Sequence, residues 1–110
     1  MDNGLILYLE GAPHLQLERG GGIPGQLRGL FDRLDADMDD GIELDGQPIA
    51  TPDQAQRARF VLGHALTAVA AGKTDFARSL LTYVASRQPE LRAIWASSVA
   101  NEWRVDLDFR

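Results

Sequence analysis

Carboxylates are the side chains of this chain whose density and spacing suggest a defined chemistry. Residues 32–45 contain seven acidic side chains and one basic side chain, Arg33. Clustered carboxylate oxygens bind hard cations, and Ca²⁺ and Mg²⁺ are the usual occupants of such sites. The residues that we assign to a candidate metal site are Asp35, Asp37, Asp39 and Asp40.

The spacing of three of these aspartates follows a known calcium-binding pattern. Asp35, Asp37 and Asp39 take positions 1, 3 and 5 of a twelve-residue loop. The segment therefore resembles part of an EF-hand, and the resemblance implies that these carboxylates would hold Ca²⁺. It departs from the EF-hand pattern at position 6, which is Asp40 instead of glycine, and at position 12, which is Gly46 instead of a bidentate glutamate.

A different role for the acidic segment follows from helix electrostatics. Asp37, Asp39 and Asp40 fall at the C-terminal end of a predicted helix, where the helix dipole already places partial negative charge. A bound cation would offset this conflict. Pairing with an arginine would also offset it, and Arg57 and Arg59 on the next predicted helix are the candidates. Simple solvation of the carboxylates is the third alternative.

Catalytic chemistry has weaker support in the sequence. There is no cysteine, so thiolate catalysis and cysteine-ligated metals are excluded. His14 and His64 are isolated from each other, and no serine lies in a nucleophile elbow. We assign no catalytic residue and favour a protein that is not an enzyme. A small enzyme that uses carboxylates as general acid and base is the weaker alternative.

The charge distribution bears on possible partners. The net charge of −5 argues against nucleic acid, whose binding depends on lysine and arginine. Residues 1–46 carry a net charge of −7 and residues 47–110 carry +2. This asymmetry can be satisfied inside one fold or between two copies packed head to tail, and it is one ground for expecting a protein partner or self-association. The apolar run Leu5–Leu9 is too short for a signal peptide or a membrane span. We expect a soluble cytoplasmic protein.

Hydrophobic patterning predicts strands at both ends of the chain. Gly4–Glu10 is apolar on both faces, and alternation in residues 14–18 predicts a second strand, with a hairpin turn at Gly11-Ala12-Pro13. Residues 20–22 are glycines and predict a connection. A loosely attached tail over residues 1–22 is the alternative. Residues 103–110 alternate strictly and predict a strand with one face on the core.

The middle of the chain predicts four helices. The first follows Pro24, and the second begins at Thr51, with Gln54 completing a capping box. A third follows Thr74, and the short link before it predicts an antiparallel helix hairpin in the centre of the chain. A fourth is predicted from Pro89, because the apolar residues after it follow helical spacing.

Taken together, these patterns predict one α+β domain spanning residues 1–110. Four helices would pack on a small antiparallel sheet formed by the N-terminal hairpin and the C-terminal strand. An all-α domain with disordered ends is the alternative. The predicted function is a non-enzymatic protein–protein interaction module or homodimer, with divalent-cation binding as the alternative. Candidate interaction residues are Trp95 and Trp103, because tryptophan is enriched at interfaces, and Arg57 and Arg59, which could pair with the acidic segment of the same or another molecule.

Overall fold

The α+β class predicted from the sequence is confirmed. A computed structural model of the chain describes residues 4–18, 25–100 and 102–109. Within these residues there are three α-helices, one short 3-10 helix (Gly25–Leu27) and six strands. The helices are α1 (Arg28–Asp39), α2 (Gln54–Ala70) and α3 (Thr74–Arg87). The strands are β1 (Leu5–Leu9), β2 (Ala12–Leu17), β3 (Ile42–Leu44), β4 (Gln47–Ile49), β5 (Leu91–Val99) and β6 (Glu102–Phe109).

These elements fall into two compact units. The sheet unit contains β1, β2, β5 and β6, and the helical unit contains α1, β3, β4, α2 and α3. The expectation of one domain stays a prediction, because a division by contacts does not show which parts fold independently. The glycines at 20–22 and Pro24 lie outside the described residues.

The sheet unit is a four-stranded sheet with the order β2-β1-β5-β6. β1 pairs antiparallel with β2 and parallel with β5, and β5 pairs antiparallel with β6. The N-terminal hairpin and the C-terminal strand therefore share one sheet, as the sequence predicts. The predicted antiparallel sheet is wrong in one respect, since β5 lies between them and makes the sheet mixed. The all-α alternative is also wrong.

The β1–β2 hairpin turns at Glu10 and Gly11, slightly before the predicted turn. Both residues have positive φ, 52° and 83°, as a two-residue turn that matches the strand twist requires. Tyr8 pairs with Pro13 while Leu7 pairs with Leu15, so β2 carries one extra residue at this point. The tail alternative is thus wrong for residues 4–18, which form paired strands, whereas residues 1–3 and 19–22 lie outside the described residues.

The predicted fourth helix is wrong, because its residues form β5. The register of β5 against β6 shifts between Leu91 and Ala93. Leu91 and Ile94 are therefore both buried although they are three residues apart, as on one face of a helix. Trp95 and Val99, the other apolar residues of the predicted helical face, are exposed. The backbone groups of β5 find hydrogen-bond partners in β1 on one side and β6 on the other. The local sequence of β5 does not indicate these neighbours.

The helical unit contains the predicted central helix hairpin, in which α2 and α3 are joined by residues 71–73 and pack on each other. The start of α2 differs from the prediction. Asp53, rather than Thr51, is the N-cap, and it forms a reciprocal capping box with Gln56. Both Thr-x-x-Gln and Asp-x-x-Gln occur here, and a charged carboxylate accepts the stronger hydrogen bond from the helix end.

A small hairpin lies between α1 and α2. β3 and β4 pair antiparallel around Asp45 and Gly46, whose φ values are 52° and 79°. An aspartate-glycine pair suits these left-handed positions. The chain leaves α1 through Gly41, which has a φ of 104°. The acidic segment of the sequence therefore divides into the end of α1 and a tight hairpin, and it does not form one continuous loop.

Candidate functional site

The carboxylate of Asp35 is the centre of a polar cluster in the helical unit. Its Oδ1 accepts a hydrogen bond from the Tyr83 hydroxyl at 2.6 Å and lies 3.3 Å from Nη1 of Arg57. Its Oδ2 accepts from Nη2 of Arg87 at 2.9 Å. We call Asp35, Arg57, Tyr83 and Arg87 the Asp35 cluster. It connects α1, α2 and α3 through one half-buried carboxylate.

Arg57 also reaches the end of α1. Its Nη2 donates to Asp39 Oδ1 at 2.6 Å, and its Nη1 donates to the backbone carbonyl of Asp35 at 3.1 Å. A guanidinium at this position offsets the partial negative charge of the helix C-terminus. Arginine pairing, one of the alternatives raised by the sequence, is therefore present. Arg59, the other candidate, is exposed and makes no ion pair with any described residue.

The aromatic surroundings hold Arg87 and Tyr83 in place. Cζ of Arg87 lies 4.6 Å from the centroid of the Tyr83 ring, within the range of a cation–π contact. Phe31 contacts Tyr83 edge to face, with ring centroids 5.3 Å apart. Because Tyr83 is fully buried and Phe31 is 3% exposed, this side of the cluster is closed to solvent.

These contacts change the pKa values of two groups in opposite directions. Partial burial alone would raise the pKa of Asp35, but the hydrogen bonds from Tyr83, Arg87 and Arg57 and the charge of Arg87 outweigh it and hold that pKa below its ordinary value. Burial, together with the hydrogen bond to Asp35, raises the pKa of the Tyr83 phenol to about 12. Asp35 is therefore ionised and Tyr83 is protonated at neutral pH.

The four aspartates of the candidate metal site differ in their surroundings. Asp35 and Asp39 are held by arginines, whereas Asp37 and Asp40 are exposed. Among the residues that the structure describes, no group of three or more histidine, aspartate or glutamate side chains is arranged to hold a metal ion. The assignment of Ca²⁺ or Mg²⁺ to this segment stays a prediction, and a cation there would compete with Arg57 and Arg87.

The second candidate site is the edge of the sheet unit formed by β6. Among the strands that the structure describes, β6 has one neighbour, β5. The Ala96 carbonyl accepts from the Glu10 amide at 3.0 Å, and the Ser98 amide donates to the Glu10 carboxylate at 2.6 Å. The backbone groups of Ala96 and Ser98 thus point toward β1, away from β6.

The direction of the Ala96 and Ser98 backbone groups determines where the N–H and C=O groups of β6 point. Ala96 is paired with Val105, and Ser98 is paired with Trp103. In an antiparallel pair, both residues of a pair without mutual hydrogen bonds direct their N–H and C=O groups outward. Trp103, Val105 and, two residues further, Leu107 therefore present these groups at the outer edge of the sheet. They form a row of donors and acceptors that another strand could use.

The side chains of β6 divide between two faces. Trp103, Val105 and Leu107 are half-buried on the face that carries the buried residues of β5. The charged side chains point to the opposite face, and they are Glu102, Arg104, Asp106 and Asp108. Asp108 is paired with Arg92 at 3.1 Å. Neither Arg104 nor Asp106 forms an ion pair with any described residue.

The two tryptophans predicted to take part in an interaction lie on different faces. Trp95 is opposite Asp106, while Trp103 is opposite Ser98. Trp95 is 41% exposed and stacks on Tyr8, with ring centroids 3.8 Å apart. Trp103 lies on the edge strand itself. The structure therefore does not bring the two tryptophans together, and their roles in an interaction stay predictions.

Two members of the Asp35 cluster were missed by sequence reasoning. Tyr83 and Arg87 are four residues apart and so share one face of α3, a local signal that was present in the sequence. Their partner on α1 is about fifty residues away along the chain, and nothing local indicates it. Charge complementarity with the acidic segment would have suggested Arg87 as readily as Arg57.

Comparisons with protein-family models, with curated proteins and with solved structures found no match to this chain. Among the described helices, none combines the length and apolarity needed to cross a membrane.

Proposed function

We propose that this chain is a non-enzymatic protein–protein interaction module that forms a homodimer through β6. The observation that supports this proposal is the outer edge of β6, where the backbone groups of Trp103, Val105 and Leu107 point away from the sheet. Pairing of such edges across a two-fold axis is a common way to join two copies of a sheet. The interaction satisfies backbone groups and requires no catalytic residue.

The length and composition of β6 favour pairing. It has eight residues and contains no proline. Sheet edges that must stay unpaired are often short, bulged or interrupted by proline. The opposite edge, β2, has two of these features, since it contains Pro13 and an extra residue beside it. Of the two described edges of this sheet, β6 is thus the one suited to accept another strand.

The side chains of β6 also favour association. Trp103, Val105 and Leu107 are only half-buried, so a second strand would remove more apolar surface from water. The opposite face carries charges of both signs, which can pair with a second copy. A strand with charges of one sign would repel its own copy.

The test is the molar mass in solution. Size-exclusion chromatography with light scattering, from low micromolar to millimolar concentration, should show a species of twice the chain mass of 12.1 kDa. The Val105→Pro variant should be monomeric, because proline removes an outward N–H and blocks the approach of a strand. That N–H makes no bond to β5, so the sheet of each copy should persist.

Val105→Thr is the matched control, since it keeps the β-branched shape and the N–H, and it should still dimerise. Circular dichroism would verify that both variants are folded. A wild-type chain that stays monomeric at millimolar concentration would overturn the proposed homodimer. So would a Val105→Pro variant that is folded and dimerises as strongly as the wild type.

A further inference from the structure

The outward backbone groups and the charges along β6 together favour one way in which two copies can pair. We propose that two β6 strands pair antiparallel with Val105 opposite Val105 of the second copy, so that Arg104 of each copy lies opposite Asp106 of the other. This inference rests on the proposed homodimer and specifies its register. The partner it names is a second copy of this chain.

The backbone restricts the possible registers. The outward-pointing groups belong to Trp103, Val105 and Leu107, so these residues must face each other across the interface. Antiparallel registers that meet this condition differ by steps of two residues. With Val105 on the two-fold axis, each Trp103 pairs with the Leu107 of the other copy. The outward N–H and C=O groups of all three residues then find partners.

The charged face decides among these registers. A shift of two residues in one direction would place Arg104 opposite its own copy. The same shift in the other direction would place Asp106 opposite its own copy. Directly opposed like charges destabilise a pair of strands. The register centred on Val105 avoids both and creates two symmetric Arg104–Asp106 pairs. A register centred on Trp103 would place Arg104 opposite Glu102, but it would leave Leu107 without a partner on β6.

The geometry of this register favours the new ion pairs. Arg104 and Asp106 would occupy positions without mutual backbone hydrogen bonds, where Cα atoms are about 4.5 Å apart and side chains approach most closely. Within the described residues neither side chain has an ionic partner, so pairing breaks no existing bridge. Glu102 would lie opposite Asp108, and this like-charge pair at each end is unfavourable but is offset by the ion pair of Asp108 with Arg92.

The apolar face is also complementary in this register. Val105 would contact Val105 of the second copy, and Trp103 would contact Leu107. Aromatic and aliphatic cross-strand pairs are favourable when they lie directly opposite each other. Because all three side chains are half-buried in one copy, the second copy would complete their burial. The same register thus suits the backbone, the apolar side chains and the central Arg104–Asp106 charges.

Engineered cysteines test the register directly, since the chain contains no cysteine of its own. In the proposed register the Cα atoms at position 105 are about 5.5 Å apart, within the range for a disulfide. Val105→Cys should therefore form a covalent dimer on mild oxidation. Leu107→Cys is the matched control, because its two copies would be offset by about 13 Å along the strands and cannot be bridged.

Charge reversal provides an independent test. Arg104→Asp and Asp106→Arg should each raise the dissociation constant of the dimer at least about tenfold, because each places like charges opposite each other twice. The double variant restores opposite charges in reversed order, and its dissociation constant should return to within about threefold of the wild type. Both residues are exposed, so the fold should tolerate the changes.

These experiments test the proposed register separately from the proposed homodimer. Crosslinking at position 105 together with rescue by the double variant supports the register. If the wild type dimerises but Leu107→Cys crosslinks in place of Val105→Cys, or neither charge reversal weakens the dimer, the register is overturned and the proposed homodimer stays intact. A monomeric wild type overturns both.

Discussion

Arginine and aspartate meet in two different ways in this protein. In the Asp35 cluster, one carboxylate is bound within its own chain by Arg57, Arg87 and Tyr83. On β6, Arg104 and Asp106 lie on one exposed face and have no ionic partner among the described residues. The charges of the Asp35 cluster are thus paired within the chain, whereas Arg104 and Asp106 could form ion pairs with another molecule. We propose that the first group stabilises the fold and that the second serves association in the proposed homodimer.

The largest expected effect is the loss of the central carboxylate. Asp35→Ala would remove the carboxylate acceptor of Arg87 and of the Tyr83 hydroxyl, and one of the acceptors of Arg57. We predict that the free energy of unfolding falls by about 3 kcal/mol. Urea denaturation in a Val105→Pro background would measure this without a contribution from dimerisation.

The control for this prediction is Asp37→Ala. Asp37 lies on the same helix but is exposed, and its charge is at the unfavourable helix end. Its removal should change the free energy of unfolding by no more than about 0.5 kcal/mol. If the two variants lose equal stability, the Asp35 cluster is not a special contributor to the fold.

Alkaline pH should destabilise the fold through Tyr83. Its pKa is about 12 in the folded chain and 10.0 in its ordinary state, so the unfolded chain loses the phenol proton first. The stabilisation linked to this group is complete below pH 10 and is lost as the pH rises from about 10 to about 12. The loss should reach about 2–3 kcal/mol, at 1.4 kcal/mol for each pKa unit.

Tyr83→Phe isolates this contribution. Other groups titrate over the same range in both proteins, so the quantity to measure is the difference between their stability profiles. The phenylalanine variant should be less stable at neutral pH by about 1–2 kcal/mol, because a buried hydrogen bond to a charged group is lost. The two profiles should approach each other above pH 10 and cross before about pH 12, because the loss through Tyr83 exceeds the difference at neutral pH. Stability profiles that stay parallel from about pH 10 to about pH 12 would contradict a raised pKa of Tyr83.

Local sequence was sufficient to predict the structure where local chemistry decides it. The turn at Asp45-Gly46 and the link between α2 and α3 depend on residues close in sequence. Arg57 was found because an electrostatic conflict at the end of α1 required a cation. The helix predicted for β5 is wrong because Leu91, Ile94, Trp95 and Val99 follow helical spacing, although Trp95 and Val99 are exposed in the strand. Only the neighbouring strands, distant in sequence, reveal its conformation.

The edge of β6 illustrates a second limit of prediction from sequence. Its alternating pattern predicted a strand, and the strand is present. The pattern does not show which side of the strand is paired, because side-chain alternation reports faces and not edges. The direction of the Val105 backbone became evident only from the contacts of Glu10 with Ala96 and Ser98. The candidate interface therefore depends on tertiary structure.

A smaller effect is expected from the tryptophan of the edge. Trp103→Ala should raise the dissociation constant of the dimer about tenfold, because a large apolar side chain opposite Leu107 is lost. Trp95→Ala is the control, since Trp95 lies on the opposite face and stacks on Tyr8 within its own chain. Analytical ultracentrifugation would compare both. If both substitutions weaken the dimer equally, the interface includes the face of the sheet that carries Trp95 and Tyr8.

Salt should have a still smaller effect on the dissociation constant of the dimer, through the Arg104–Asp106 pairs. Raising the ionic strength to about 1 M should weaken the dimer two- to fourfold, because exposed ion pairs are screened. An Arg104→Gln/Asp106→Asn variant should lose most of this salt dependence. A dimer whose affinity rises steadily with salt would indicate that apolar contacts dominate and that the charge pairs contribute little.

The smallest expected effect is that of divalent cations on the helical unit. Ca²⁺ or Mg²⁺ at the aspartates near the end of α1 would have to displace Arg57 from Asp39 and Asp35, which are already neutralised. We predict that millimolar Ca²⁺ stabilises the fold by less than about 0.4 kcal/mol, the value for a ligand present at its dissociation constant. Thermal unfolding with and without the ion measures this. A larger shift that disappears in Asp37→Asn/Asp39→Asn would establish the cation site. It would also show that the arginines of the Asp35 cluster can be exchanged for a metal, so that this group too is open to a partner.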